Sequence, residues 1–131
     1  MQRTAVNPWG WSLNLGYNQG EIIEGHRRQL ICAGQTAVDE TGAPQFEGDM
    51  RGQIALALDN LEAVLAGADM GLGNIIRLSV FVTDMDEALK NFDLFGQRFG
   101  PIQCAPPMTL LEVNRLALPG LMFEIEATAA D

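Results

Sequence analysis

Near the end of the chain two glutamates, Glu124 and Glu126, alternate with Phe123 and Ile125. Successive side chains of an extended strand point to opposite faces, so both carboxylates share one face and the apolar pair the other. A carboxylate that is partly desolvated at an interface has a raised pKa and can take and return a proton. That suits general acid–base work on a bound water. The same alternation also suits an ordinary polar sheet face, and the residues alone leave both readings open. Tyr17, the only tyrosine, offers a phenol to hold a ligand or water and a ring to wall a cleft, or plain strand packing. Gly34 by its residue type alone marks a bulge or a close strand crossing. His26, the only histidine, follows Gly25 in a turn and reads as a solvated turn residue. One histidine cannot supply a typical zinc site, and Cys32 and Cys104 lack metal-ligand spacing, so no metal is expected and both thiols are expected to be free.

The elements that must position these residues follow from periodicity. The first 16 residues read as loop, broken by Pro8, Gly10 and Gly16, and Trp9 and Trp11 within them either pack over a core edge or wall a pocket. Residues 17–23 and 28–33 are apolar runs either side of Gly25, which suggests a hairpin. Asp49 is placed to cap a helix whose stripe, Met50, Ile54, Leu58, Leu61 and Leu65, carries it to about Ala66 before Gly67 and Gly71. Ile75–Val82 reads as a strand with Ile76, Leu78, Val80 and Val82 on one face and Arg77 and Ser79 on the other. Asp84 with Glu87 resembles a capping box ahead of a second helix striped by Ala88, Phe92, Phe95 and Phe99 and stopped by Gly100-Pro101. Strands at about 108–113 and 121–129 close the chain. Two helices cover one face of such a sheet. Met108 and Leu110 share a face with Glu112, which suggests that the second face carries apolar residues and is buried by association.

Composition sets the outer limits. The 131 residues are 47% hydrophobic, enough for one domain, 1–131, with a real core. No apolar run is long enough to cross a membrane and the N-terminus lacks a signal-peptide stretch, so no membrane partner and a cytoplasmic location are expected. A net charge of −9 repels phosphate backbones, and Arg27-Arg28 is the only basic cluster, so no nucleic acid is expected as partner.

Several short motifs add a family resemblance. Pro106-Pro107-Met108-Thr109-Leu110-Leu111-Glu112-Val113, followed by Phe123-Glu124-Ile125-Glu126-Ala127, resembles the closing strands of the YjgF/RidA family, with their Pro-Ala-Arg-Ser-x-x-Glu-Val and Ile-Glu-Ile-Glu-Ala. Tyr17-Asn18-Gln19-Gly20, Ala33-Gly34-Gln35, Asp59-Asn60-Leu61 and Val80-Phe81-Val82-Thr83-Asp84-Met85 are similar to the family's other motifs, in the same order. The resemblance implies an α+β, chorismate-mutase-like fold, a mixed sheet with two helices on one face, assembled as a barrel-forming homotrimer with a cleft at each subunit interface. It implies no cofactor, and a small-molecule ligand or substrate. By the same resemblance Glu124 and Tyr17 are the catalytic candidates, and Gly34, Met108, Thr109 and Leu110 the substrate-binding ones.

Two positions depart from that pattern. Met108 stands where the family's arginine grips a substrate carboxylate, and Leu110 where a cysteine is common. A thioether offers no charge and no donor, and each charge-assisted hydrogen bond lost costs roughly 1.5–3 kcal/mol. Arg115 falls on the opposite strand face from Met108 and does not compensate. The expected activity is therefore hydrolysis of imine or enamine metabolites other than 2-aminoacrylate. The alternative is a non-catalytic trimer that binds a small metabolite or a partner.

Overall fold

The first strong periodic stripe forms helix α1, Met50–Gly67, in the computed structural model, which describes residues 1–131. Asp49 stands outside it in an extended conformation, and its carboxylate accepts from the Gly52 N–H at 3.0 Å, satisfying one of the free donors of the first turn. Met50, Ile54, Ala57, Leu58, Leu61 and Leu65 are all buried. Gln53 shares that buried face and bridges loops: its Nε2 donates to the carbonyls of Gly120 (2.7 Å) and Phe46 (3.2 Å), and its Oε1 accepts from the Met122 N–H (2.7 Å).

The chain is α+β. Strands β3 (Gln29–Ile31), β4 (Gln35–Thr36), β5 (Ile75–Val82), β6 (Met108–Glu112) and β7 (Phe123–Ala130) form a mixed sheet in the order β3-β7-β5-β6, with β4 also on β7. β5 and β6 are parallel and the other pairs antiparallel. A parallel pair needs a crossover, and here it carries helices α2 (Met85–Leu89) and α3 (Asp93–Phe99). These two replace the single second helix expected from its stripe. The break falls at Lys90–Phe92, where the Asn91 side chain donates to the Glu87 carbonyl and Arg51 forks onto Asp93 with two contacts of 2.8 Å. Phe92, Phe95 and Phe99 nonetheless keep one stack, with ring centroids 4.5 and 6.1 Å apart, and Phe95 meets Phe123 edge-on. All three helices pack on one face of the sheet, over Leu78, Val80, Val82, Phe123 and Ile125.

Three expectations need correction. The N-terminal segment is not all loop: β1 (Gln2–Val6) pairs antiparallel with β2 (Gly20–Glu24) as a separate two-stranded sheet. Pro8 and Gly16 break only the connection between them, a 3-10 turn at Trp11–Leu15 that ends on Gly16 with φ 85°. Gly25 does turn the chain with φ 71°, but β2 and β3 do not pair. A turn residue dictates a change of direction, whereas partners are chosen by long-range hydrogen bonds, here Gln29–Ile31 to the end of β7. Arg3 staples the small sheet to the large one, bonding Glu21 and the carbonyls of Gly73 and Ile75.

The third correction concerns β6. In its parallel register Met108 lies beside Leu78, Leu110 beside Val80 and Glu112 beside Val82, so these residues face the helices. Glu112 there accepts from the Met85 N–H at 2.9 Å and caps α2. The open face carries Thr109, Leu111, Arg77, Ser79, Phe81, Glu124, Glu126 and Thr128, with Ile31 70% exposed beside Thr128. It is still partly apolar, through Ile31, Phe81 and Leu111 rather than through Met108 and Leu110. In β5 a register irregularity between Ile75 and Arg77 buries Ile75 in place of Ile76.

Candidate functional site

Strand β7 sets Glu124 on the open face, in register with Phe81 of β5 and Thr36 of β4. Gly34 comes directly before β4, and the glutamate side chain lies over it. A Cβ on Gly34 would stand 2.5 Å from Oε1, 2.7 Å from Cδ and 3.0 Å from Cγ of Glu124. The glycine thus makes room for a carboxylate laid against the backbone. Burial, and secondarily the charge of Glu126, pushes the Glu124 carboxyl above the usual glutamate range. No hydrogen bond or ion pair from a basic side chain offsets this, so the group is prepared to hold a proton more tightly than a free glutamate does.

On the other side of the sheet a cavity of about 480 Å³ opens between α3, the segment entering β6 and the loop before Tyr17. Phe92, Phe95, Phe99, Leu78, Met108 and Leu15 line it. Asn14 and Gln103 are its polar side chains, and no charged residue lines it. Cys104 also lines it as a free thiol whose pKa is raised, chiefly by burial. No group of three or more His, Cys, Asp or Glu side chains is arranged to hold a metal ion.

Tyr17 stands near that cavity rather than near Glu124. Its ring meets Trp11 edge-on at 6.2 Å and lines a shallow depression with Trp9 and Gln19. The Asn18 N–H donates to the Ala105 carbonyl at 2.8 Å, which ties the tyrosine loop to the strand that carries Met108. Trp9 and Trp11 are both exposed. One chain therefore brings Gly34 to Glu124, and the Tyr17 loop to Met108. It keeps these two groups on opposite faces of the sheet. Leu110 packs on the helix side against the core, and Thr109 faces outward beside Ser79.

Sequence reasoning missed the cavity's phenylalanine wall. Phe92, Phe95 and Phe99 sit at helical spacing, which reads as core, and only the broken helix and the position of Gly96 leave one edge of that stack open. It also missed the structural role of Glu112, for which the strand register was needed.

Residues 13–131 match the family described as endoribonuclease L-PSP. Among known proteins, the putative reactive intermediate deaminase TdcF of Escherichia coli is 31% identical over 127 residues, 95% of this chain and 88% of that one. Among solved structures, YyfB of Yersinia pestis, a Rid-family protein of unknown function, superposes with a TM-score of 0.85 at 28% identity over the whole of both chains. Escherichia coli TdcF with bound serine superposes at 0.70 with 29% identity, over 97% of this chain and 93% of that one.

Proposed function

The chain belongs to the endoribonuclease L-PSP family, the YjgF/RidA group that its motifs resemble, and from that premise we propose that it hydrolyses imine or enamine metabolites other than 2-aminoacrylate in clefts between the subunits of a homotrimer. The observation that carries this is Glu124 laid over Gly34 with a raised pKa. In the reaction water adds to the carbon of a C=N bond while nitrogen gains a proton. Ammonia then leaves and a carbonyl remains. A carboxylate whose burial makes it hold a proton more tightly than a free glutamate serves both proton transfers. The deaminase name of TdcF points the same way.

The geometry of one chain supports a shared cleft. Met108 and Leu110 face the helices and Glu124 faces away from them, so a site holding all three draws them from two copies. Tyr17 would enter from the Met108 side and Gly34 from the Glu124 side. The partly apolar open face, with Ile31 and Leu111 exposed, supplies a reason to associate. Nucleic acid is not the substrate we assign, despite the family's description, because a net charge of −9 opposes a polyanion.

The apolar lining of the cavity, with no ionisable group except a cysteine, favours a second reading: a trimer that binds a small metabolite without turning it over. One experiment separates the two. Imines are generated in place by amino-acid and amine oxidases, and ammonia release is followed with wild type and with Glu124→Gln, alongside light scattering for subunit number. Acceleration by a trimer, lost in Glu124→Gln, is expected. No acceleration of any imine supports the binding reading, and a stable monomer at micromolar concentration defeats the shared site. 2-Aminoacrylate is expected to be a poor substrate for wild type and a better one for Met108→Arg.

A further inference from the structure

We infer that the cavity walled by Phe92, Phe95, Phe99 and Met108 takes an uncharged apolar substituent, which makes the substrate class the carboxylate-free imines of apolar primary amines, R–CH=NH with R aryl, arylmethyl or branched alkyl. This rests on the hydrolase reading above, since it names that enzyme's substrate.

Charge is the first constraint. An amino-acid imine brings a carboxylate, and a carboxylate taken out of water needs a cation and hydrogen bonds to replace its hydration. No basic side chain lines the cavity. Arg3, Arg28, Arg51, Lys90 and Arg98 are engaged in ion pairs with Glu21, Asp131, Asp93, Glu87, and Asp59 and Glu62 respectively. Arg77 projects from the open face of the sheet, on the far side from the cavity, and its register partner Thr128 lies four residues along β7 from Glu124, so it is also set apart from the carboxylate that a second copy would bring. Asn14 and Gln103 can hydrogen-bond but cannot neutralise a charge. The net charge of −9 further opposes an anion and favours a protonated iminium.

Shape agrees. A volume of about 480 Å³ falls within the usual range for small-molecule sites and exceeds what a serine-sized group fills. The phenylalanine stack and the Met108 thioether offer a face for an aromatic or branched group. The balance is R–CH=NH + H₂O → R–CHO + NH₃: a C=O bond to the water oxygen replaces the C=N bond, both protons of water pass to nitrogen, which leaves as ammonia, and no oxidant is used. The class of reaction that must supply such a substrate is the two-electron oxidation of a primary amine at the carbon bearing nitrogen.

Two matched probes test the charge rule on the intact wild-type protein. Phenylacetone and phenylpyruvate differ only by a methyl in place of a carboxylate, and binding is read by ligand-observed NMR. Phenylacetone is expected to bind about tenfold more tightly or better, the difference that an unpaired carboxylate imposes. Met108→Arg should reverse that order. Gly96→Leu should abolish phenylacetone binding, because Gly96 lines the cavity and a Cβ there meets nothing within 4 Å, so the leucine fits and fills the space. In turnover, the imine made by oxidising phenethylamine should release ammonia faster with the protein than the imine made by oxidising phenylalanine. Equal or tighter binding of phenylpyruvate to wild type, or faster turnover of the phenylalanine-derived imine, overturns the inference. If no imine is turned over while phenylacetone still binds and Gly96→Leu still loses it, the hydrolase reading alone fails and the cavity's preference stands.

Discussion

Replacing Gly34 with alanine probes the contact on which the proposed chemistry depends. The new Cβ would lie 2.5 Å from Oε1 and 3.0 Å from Cγ of Glu124. To regain an ordinary contact distance the oxygen must retreat by about 0.9 Å and Cγ by about 0.4 Å. Because Cγ is close to the backbone, a small swing of the carboxylate does not suffice, and the side chain must leave its rotamer. An off-rotamer side chain costs about 1 kcal/mol, so the melting temperature should fall by only about 3–5 °C for a chain of this length. A catalytic group displaced by about 1 Å can lose a hundredfold in rate. The expected outcome is thus a folded Gly34→Ala protein with about a hundredfold slower ammonia release from its best imine. Gly34→Ala combined with Glu124→Asp should recover most of the lost melting temperature, since the shorter acid withdraws from the methyl, and this coupling is the signature of direct contact. A Gly34→Ala rate equal to wild type, in a protein where Glu124→Gln is inactive, would refute the reasoning.

Three further outcomes follow from other contacts. Glu124→Gln should alter the pH dependence of stability: the raised carboxyl pKa means that Glu124 favours folding below the ordinary glutamate value of about 4.3 and loses that contribution as pH rises through the raised value. Chemical denaturation should therefore find the glutamine variant gaining relative to wild type between pH 4 and neutrality, and a relative loss over that range would count against the burial assigned to Glu124. Gln53→Leu leaves the Gly120 carbonyl and the Met122 N–H without their partner, whereas the Phe46 carbonyl keeps the Asp49 N–H, and should cost about 2 kcal/mol or more in urea titration, since each buried backbone group left unpaired costs about 1–3 kcal/mol; a near-neutral result would mean that water replaces the side chain. Arg3→Met should raise hydrogen exchange in residues 2–6 and 20–24 while leaving β5 and β7 protected, because the small sheet hangs on the Arg3 contacts with Glu21, Gly73 and Ile75.

Several local elements could be read from neighbouring residues alone. The α1 stripe with its Asp49 cap, the Ile75–Val82 strand and the alternation that puts Glu124 and Glu126 on one face were legible because each depends on neighbours a few residues apart. The motif order was enough to point to the family. Tertiary structure decided what depends on partners far along the chain. Gly25 announced a turn, but only the pairing of β3 with β7 and of β1 with β2 showed where the strands went. Met108 and Leu110 alternate in β6 as their residue types suggest, yet which face they occupy was fixed by the parallel register with Leu78 and Val80, because a period of two leaves the choice of side open. The same register placed Glu112 at the start of α2. Gly34 and Glu124 are 90 residues apart in sequence, and no local signal couples them. Their contact exists because β4 and β7 are adjacent, so the carboxylate's seat is a property of the sheet and not of either segment alone.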